Sequence, residues 1–307
     1  MDDEDVDWDY YYDLYKEQLY EELENLYKQI DKLFDDLKKK QFGINASFYH
    51  YTSVETLKLI TSSGKLRFTD IRFLNDPSEG DEISQMIPEI CDELSDTDST
   101  NAAIYSVIKS VFETDNYTKD DPYLKKIIEK VNGNNHYISC FSKCSDYLPL
   151  WTYYSLKDGC NIEYSQEDFS DTKYPVRIEP VIYTESEKKN ILQKIIKMIS
   201  ETRYVKDDDH RVSNVVLYIV DRLKPVFKNE DFKFEEEVRA VIKNVDDNDV
   251  DYFVRDGYVT PYYEMVLKKN RYLVTTGPLY RHELDSLNNY LKKYNGTATK
   301  SRIRLRF

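Results

Sequence analysis

Between Leu19 and Leu37 six aliphatic residues recur at spacings of 4, 3, 4, 3 and 4: Leu19, Leu23, Leu26, Ile30, Leu33 and Leu37. Only an α-helix brings such positions onto one stripe, so the chain from about Tyr10 to Lys40 must be helical and the protein cannot be all-β. The spacing is that of a heptad seam with charges on the other faces, shorter than the three to four heptads that define a coiled coil. Two arrangements would cover the seam: packing on the rest of the chain, or pairing with a second copy to give a homodimer through the N-terminal helix. The acidic run ahead of it, MDDEDVDWD, reads as a frayed tail.

The remaining chain is long enough for a large core, and its 28 Tyr and 13 Phe against 8 Gly and 9 Pro suit a compact, strand-containing domain. The expected organisation is an acidic tail and amphipathic helix over residues 1–44, then a single domain over residues 45–307. A formal charge of −14 argues against broad binding of nucleic-acid backbones. No apolar run approaches membrane-spanning length, and the N-terminus is acidic where a signal peptide would be basic and then apolar, so a cytoplasmic protein with no membrane contact is expected. Cys91, Cys140, Cys144 and Cys160 contain no C-x-x-C pair and no histidine at finger spacing; they read as reduced thiols, with no metal site.

Along the chain, helices are expected near Asp81–Glu93, Asn101–Phe112, Tyr123–Val131, Leu148–Leu156, Glu187–Thr202, Asp209–Lys224 and Glu283–Lys293. Strands are expected at His136–Ser142, Cys160–Tyr164, Pro180–Tyr183, Tyr258–Leu267, Tyr272–Thr275 and Ser301–Phe307. Strands and helices follow without steady βαβ alternation, which predicts an α+β fold with mixed, mainly antiparallel sheets and surrounding helices.

Chemistry gathers in two stretches. In Phe48–Asp81 the run Phe48-Tyr49-His50-Tyr51 alternates as a strand, with His50 on one face and Tyr49 and Tyr51 on the other. A helix from Val54 stopped by Gly64, a strand Lys65–Phe68 and a polar turn Asn75-Asp76-Pro77-Ser78-Glu79-Gly80 follow. The second stretch is Asp231–Asn244. Read as a strand, it puts Phe234, Val238 and Ala240 on one face, with Glu236 the exception, and Glu235, Glu237 and Arg239 on the other. On a solvated face these are surface charges. Lining a cleft, burial and mutual repulsion would raise one carboxylate's pKa while Arg239 lowers the other's, and the pair could stabilise a sugar cation. Trp151 and Tyr154 lie three apart on one helix face, as core or as a stacking wall, and Ser142 could add a hydroxyl to the same pocket. His50 has the corresponding alternative of an ordinary core histidine. No P-loop, dinucleotide fingerprint, nucleophile elbow or H-E-x-x-H helix is present.

Taken in order, Tyr49-His50-Tyr51-Thr52, Leu66-Arg67-Phe68, Asn75-Asp76-Pro77-x-Glu79, Cys140-Phe141-Ser142, Trp151-x-x-Tyr154 with Gly159, Phe234-Glu235-x-Glu237-x-Arg239, Gly277-Pro278 and Ser301 resemble the bacterial family catalogued as domain of unknown function 2971. The resemblance runs from about Phe48 to the C-terminus. More distantly, the aromatic-histidine strand, the helix ending in Gly-x-Leu and the late glutamate strand are similar to the ADP-ribosyltransferases.

That second resemblance implies an ADP-ribosyltransferase-like split sheet and an enzyme that cleaves the nicotinamide–ribose bond of NAD and passes ADP-ribose to a macromolecule of unknown class, as a bacterial toxin or anti-phage effector. It implies His50 on the ribose and amide side of NAD, Glu237 as the catalytic glutamate, Glu235 orienting the acceptor, and Tyr154 or Trp151 against the ring. Tyr51, Arg67, Asn75, Ser142 and Arg239 complete the implied NAD site. The alternative is a non-catalytic nucleotide-sensing or protein-interaction module of a defence system. A cleft carboxylate is also expected to matter more to chemistry than to stability.

Overall fold

The computed structural model describes residues 8–43, 46–74, 81–112, 136–170, 173–206, 208–255 and 257–305. The helix expected at Tyr123–Val131, the turn at Asn75–Gly80 and the acidic residues 1–7 lie outside them. The chain packs into two compact units, interleaved in sequence: residues 1–37, 80–133 and 184–224 form one, and residues 38–79, 134–183 and 225–307 the other. Residues 45–307 had read as a single domain. Within that stretch, residues 80–133 and 184–224 fall in the first unit and the remainder in the second.

The first unit is helical in its described residues. It comprises α1 (Trp8–Phe42), which continues a few residues past the unit's edge, with α3 (Asp81–Thr97), α4 (Ala102–Ser110), α6 (Glu185–Glu201) and α7 (Asp209–Leu223). In α1 the deeply buried residues are Leu19, Leu26, Ile30 and Phe34, the last of which the heptad reading left out. The stripe therefore follows the 3.6-residue period of a helix lying on its neighbours, not a strict two-residue seam. Tyr27 packs on Tyr218 of α7 with ring centroids 4.4 Å apart, and the Arg222 guanidinium sits 4.0 Å over the Phe34 ring. The seam is thus used inside the chain. Lys188 of α6 pairs with Glu82 of α3, and Tyr105 of α4 donates to Asp98 at 2.9 Å.

The second unit carries a mostly antiparallel sheet of ten strands, ordered β10-β9-β4-β1-β3-β2-β8-β7, with β6 on β3 and β5 on β6. Their spans are β1 Phe48–Thr52, β2 Lys65–Asp70, β3 His136–Ser142, β4 Cys160–Tyr164, β5 Arg177–Pro180, β6 Glu237–Lys243, β7 Val250–Arg255, β8 Tyr258–Val266, β9 Leu273–Thr276 and β10 Thr297–Lys300. The last strand therefore precedes Ser301, where the sequence had placed its start; pairing with β9 from Thr297↔Leu273 to Lys300↔Thr276 fixes it. Between β1 and β2 lies α2 (Val54–Ser63). Ser53 caps it by accepting from the Thr56 amide at 3.1 Å, and Gly64 ends it at φ 65°. Helices α5 (Leu148–Tyr154) and α8 (Leu284–Leu291) complete the unit.

One face of the sheet holds the main core, including Phe48, Phe68, Phe141, Tyr164, Phe169, Val238, Ala240 and Met265. Phe141 meets Phe48, Tyr164 and Phe169 edge-on at 4.9, 5.1 and 5.6 Å, the geometry aromatic quadrupoles prefer. Each such ring contributes roughly 1.5–3 kcal/mol through burial. Residues alternate with these onto the other face, which carries Tyr49, Tyr51, Arg67, Cys140, Ser142, Glu237 and Arg239 by strand register.

The sheet divides at β3. On one edge β3 pairs along its whole length with β6, from His136↔Lys243 to Ser142↔Glu237. On its other edge β2 takes Tyr137 and Ile138, while β1 takes only Ser142. Between those contacts β1 and β2 diverge, and the Ser139–Phe141 edge of β3 faces the gap.

Candidate functional site

A cavity of about 220 Å³ occupies this gap, and all its lining residues belong to the second unit. His50 reaches it from the core face of β1. Its Nδ1 lies 3.0 Å from the Cys140 carbonyl oxygen of β3, which closes the gap left by the diverging strands. A carbonyl only accepts, so Nδ1 carries the proton, and burial pushes the imidazole pKa down, leaving a neutral ring with a bare Nε2 near neutral pH. From the opposite face Glu235, Glu237, Lys228, Arg239 and Tyr154 line the same cavity.

The strand expected from Asp231 begins only at Glu237. Residues Glu230–Glu235 form a 3₁₀ turn, and Glu236 takes a left-handed conformation, φ 48° and ψ 46°. That kink is held by the Lys143 amide on the Glu236 carbonyl at 3.0 Å and the Lys143 ammonium on its carboxylate at 2.8 Å. Ser142 is committed to the same purpose: its hydroxyl donates to the Glu235 carbonyl at 2.7 Å and accepts the Cys144 amide at 3.1 Å. The kink breaks the strand yet returns both carboxylates to one point. Lys228 Nζ lies 2.5 Å from Glu235 and 2.9 Å from Glu237.

Arg239 grips Glu237 through Nε at 2.9 Å and Nη2 at 3.1 Å, and its Nη1 donates to the Pro225 carbonyl at 3.0 Å. Glu235 and Glu237 are 4% and 3% exposed, which excludes a solvated pair. Burial alone would raise Glu237, but Arg239 and Lys228 outweigh it and hold the carboxyl down to about 2. Glu235 is pushed up, by burial and by Glu237, against the opposing pull of Lys228 and the Tyr154 hydroxyl that donates to it. Two carboxylates in one cavity thus sit in environments that drive their pKa values apart, which is how acid–base roles are divided.

Tyr51 lines the cavity while its hydroxyl donates to the Cys144 carbonyl at 2.8 Å. Arg67 lines it too, half exposed, with Nε 3.2 Å from Glu264 and its guanidinium 4.5 Å over the Tyr262 ring. Trp151 is not brought to the cavity. It is fully buried, edge-on to Tyr51 at 4.6 Å, and its indole N–H donates to Asp146 at 2.7 Å. Of the two candidate stacking residues, Tyr154 alone is at the site. Asn75 lies outside the described residues.

Lys228 is the member sequence reasoning missed. It sits seven residues before Glu235, outside any strand or helix period, so no pattern announces it. Arg255 and Cys140 also line the cavity. A larger open depression of about 490 Å³ near Ser165 and Lys269 pairs Lys269 with Asp168 at 2.8 Å, with no second carboxylate on that cation among the described residues. No group of His, Cys, Asp and Glu able to hold a metal occurs among the described residues, nor any described helix long and apolar enough to cross a membrane.

No curated protein and no solved structure matches the chain. Residues 150–240 match the family described as protein of unknown function, DUF2971. That segment carries Tyr154, Lys228, Glu235, Glu237 and Arg239, the acidic side of the cavity, so the comparison supports the DUF2971 family over the stretch that builds the carboxylate pair.

Proposed function

We propose that this protein is an ADP-ribosyltransferase-like enzyme that breaks the bond between nicotinamide and ribose in NAD and passes ADP-ribose to a macromolecular acceptor. The observation that carries the reading is a buried, ionised Glu237 in a gap of a divided sheet that also admits a neutral His50 and the Tyr154 ring. The cavity is smaller than the roughly 300–1,000 Å³ that holds drug-sized ligands, so it would take the nicotinamide and its ribose and leave the rest of the dinucleotide at the mouth.

In such a site the C1′–N1 bond breaks with its electron pair leaving on nicotinamide, and Glu237 faces the resulting oxocarbenium ion. His50 would hold the ribose and amide side through its Nε2 acceptor. The acceptor's nucleophile then bonds to C1′, and its proton passes to Glu235, the carboxylate whose pKa is raised. The bacterial toxin or anti-phage setting is carried from the family resemblance.

The test is nicotinamide release from NAD, with cell lysate as a source of acceptors. Wild type should release nicotinamide and label an acceptor, and Glu235→Gln should keep release into water while labelling falls at least about tenfold. No release by wild type, with or without lysate, would refute the reading. One observation favours a nucleotide-binding module instead: both oxygens of Glu237 are already engaged by Arg239 and Lys228. NAD binding without release would select it.

A further inference from the structure

The four buried charges on the acidic side of the cavity cancel: Glu235 and Glu237 against Lys228 and Arg239. A neutral cluster gives a sugar cation little net stabilisation, because each carboxylate's field is offset by a cation within hydrogen-bonding distance. The two cations are not equivalent. Arg239 is wholly buried on β6 and held by hydrogen bonds that include two to Glu237 and one to the Pro225 carbonyl. Lys228 lies in the connection between α7 and the 3₁₀ turn and reaches the carboxylates on a flexible stem, with Nζ 4.8 Å from the Phe232 ring centroid. Arg67 and Arg255 add two more cations to the lining. The lining of this cavity, in a chain of net charge −14, thus holds four cations and two carboxylates, with Arg67 already paired to Glu264.

We propose that Lys228 is a charge switch: an anionic group of the ligand draws its ammonium off Glu235 and Glu237, and the ligand's own positively charged ring takes its place. The inference rests on the NAD reading, since NAD brings both a pyrophosphate and a pyridinium. With Lys228 withdrawn, Glu235, Glu237 and Arg239 carry a net charge of −1, complementary to the pyridinium and then to the oxocarbenium ion. Lys228 is in this sense a positioning residue, acting through the two carboxylates.

A ligand that brings the anion without the cation, such as ADP, would leave Glu235 beside Glu237 with no ammonium. The groups acting on Glu235 besides Lys228 are Tyr154 from α5, Glu237 from β6 and Tyr183 from the segment after β5, while Arg239 and Cys140 act on Glu237 beside it. Tyr154, Tyr183 and Cys140 are each pushed upward by burial and stay protonated near neutral pH; Glu237 is kept ionised by Arg239. Glu235 is then the group that takes up a proton.

Titration calorimetry near pH 7, in two buffers of different ionisation enthalpy, reads that proton. ADP should bind to wild type with uptake approaching one proton, and NAD with far less, because its pyridinium replaces the ammonium. In Lys228→Met, where no ammonium is present to be withdrawn, ADP binding should take up none. ADP bound by wild type without uptake, ADP not bound, or equal uptake for NAD and ADP would overturn the switch. The wild-type comparison of ADP with NAD decides the matter even where the variant fails to fold. Proton uptake with ADP but no nicotinamide release would remove the glycosidic reading and leave the switch standing.

Discussion

Replacing Glu237 by Gln removes one charge from the buried group and leaves two cations sharing one carboxylate. The sequence suggested that a cleft carboxylate would matter more to chemistry than to stability; its 3% exposure and its bonds to Arg239 and Lys228 argue for a sizeable contribution to stability as well. The fall of its pKa from 4.5 to about 2 corresponds to about 3 kcal/mol of native-state stabilisation. Breaking a buried ion pair by removing one partner costs about 3–5 kcal/mol, in the same range. Gln keeps the shape and one accepting oxygen, so the lower figure applies. At about 2–4 °C per kcal/mol, Tm should fall by about 6–12 °C near neutral pH.

The pH dependence has a definite sign. A carboxyl whose folded pKa is depressed stabilises above its unfolded value of 4.5 and loses that contribution as pH falls toward about 2. Urea unfolding of both proteins should therefore show a stability gap that is constant above about pH 5.5 and narrows below it. Glu235, pushed upward, contributes with the opposite sign but is common to both proteins and cancels in the difference, apart from its coupling to residue 237. An unchanged Tm for Glu237→Gln, or a gap that stays constant into acid, would refute the account of Glu237 as a buried, paired anion. It would also mean that loss of activity in this variant can be read without correcting for stability.

Two further outcomes probe the scaffold. Leu26→Ala should lower unfolding free energy by about 2–5 kcal/mol, because Leu26 is buried inside the helical unit; mass by light scattering should not change, and a shift in mass would mean the stripe faces another copy. Gly159→Ala should cost about 1–3 kcal/mol in urea unfolding, since a Cβ there would stand 2.3 Å from the Thr52 carbonyl oxygen at the end of β1; a neutral result would show that β1 can shift away.

Much of the architecture was legible in the sequence because it follows from short-range periodicity. The Leu19–Leu37 stripe required a helix, Ser53 and Gly64 bounded α2, and alternation in Phe48–Thr52 and His136–Ser142 set which side chains share a face. Val238 and Ala240 face the core and Glu237 and Arg239 the cavity, as alternation demands. The grouping of α1, α3, α4, α6 and α7 into a unit apart from the one that carries the sheet was not legible, because it depends on which surfaces meet across more than a hundred residues.

The site was legible as residue types and not as geometry. His50, Glu235, Glu237 and Arg239 stood out, and tertiary structure brought them to one cavity where β1 and β2 part from β3. Whether Trp151 or Tyr154 served the cavity was undecidable from spacing, since both lie on one face of a short helix. Packing on Tyr51 and the bond to Asp146 took Trp151 inward, and the Glu235 carboxylate held Tyr154 at the cavity. Lys228 could not be found at all, for a reason that is physical. Local periodicity records which residues share a face of one element, whereas a buried ammonium between two carboxylates exists only once a 3₁₀ turn and a left-handed Glu236 have folded the chain back on itself.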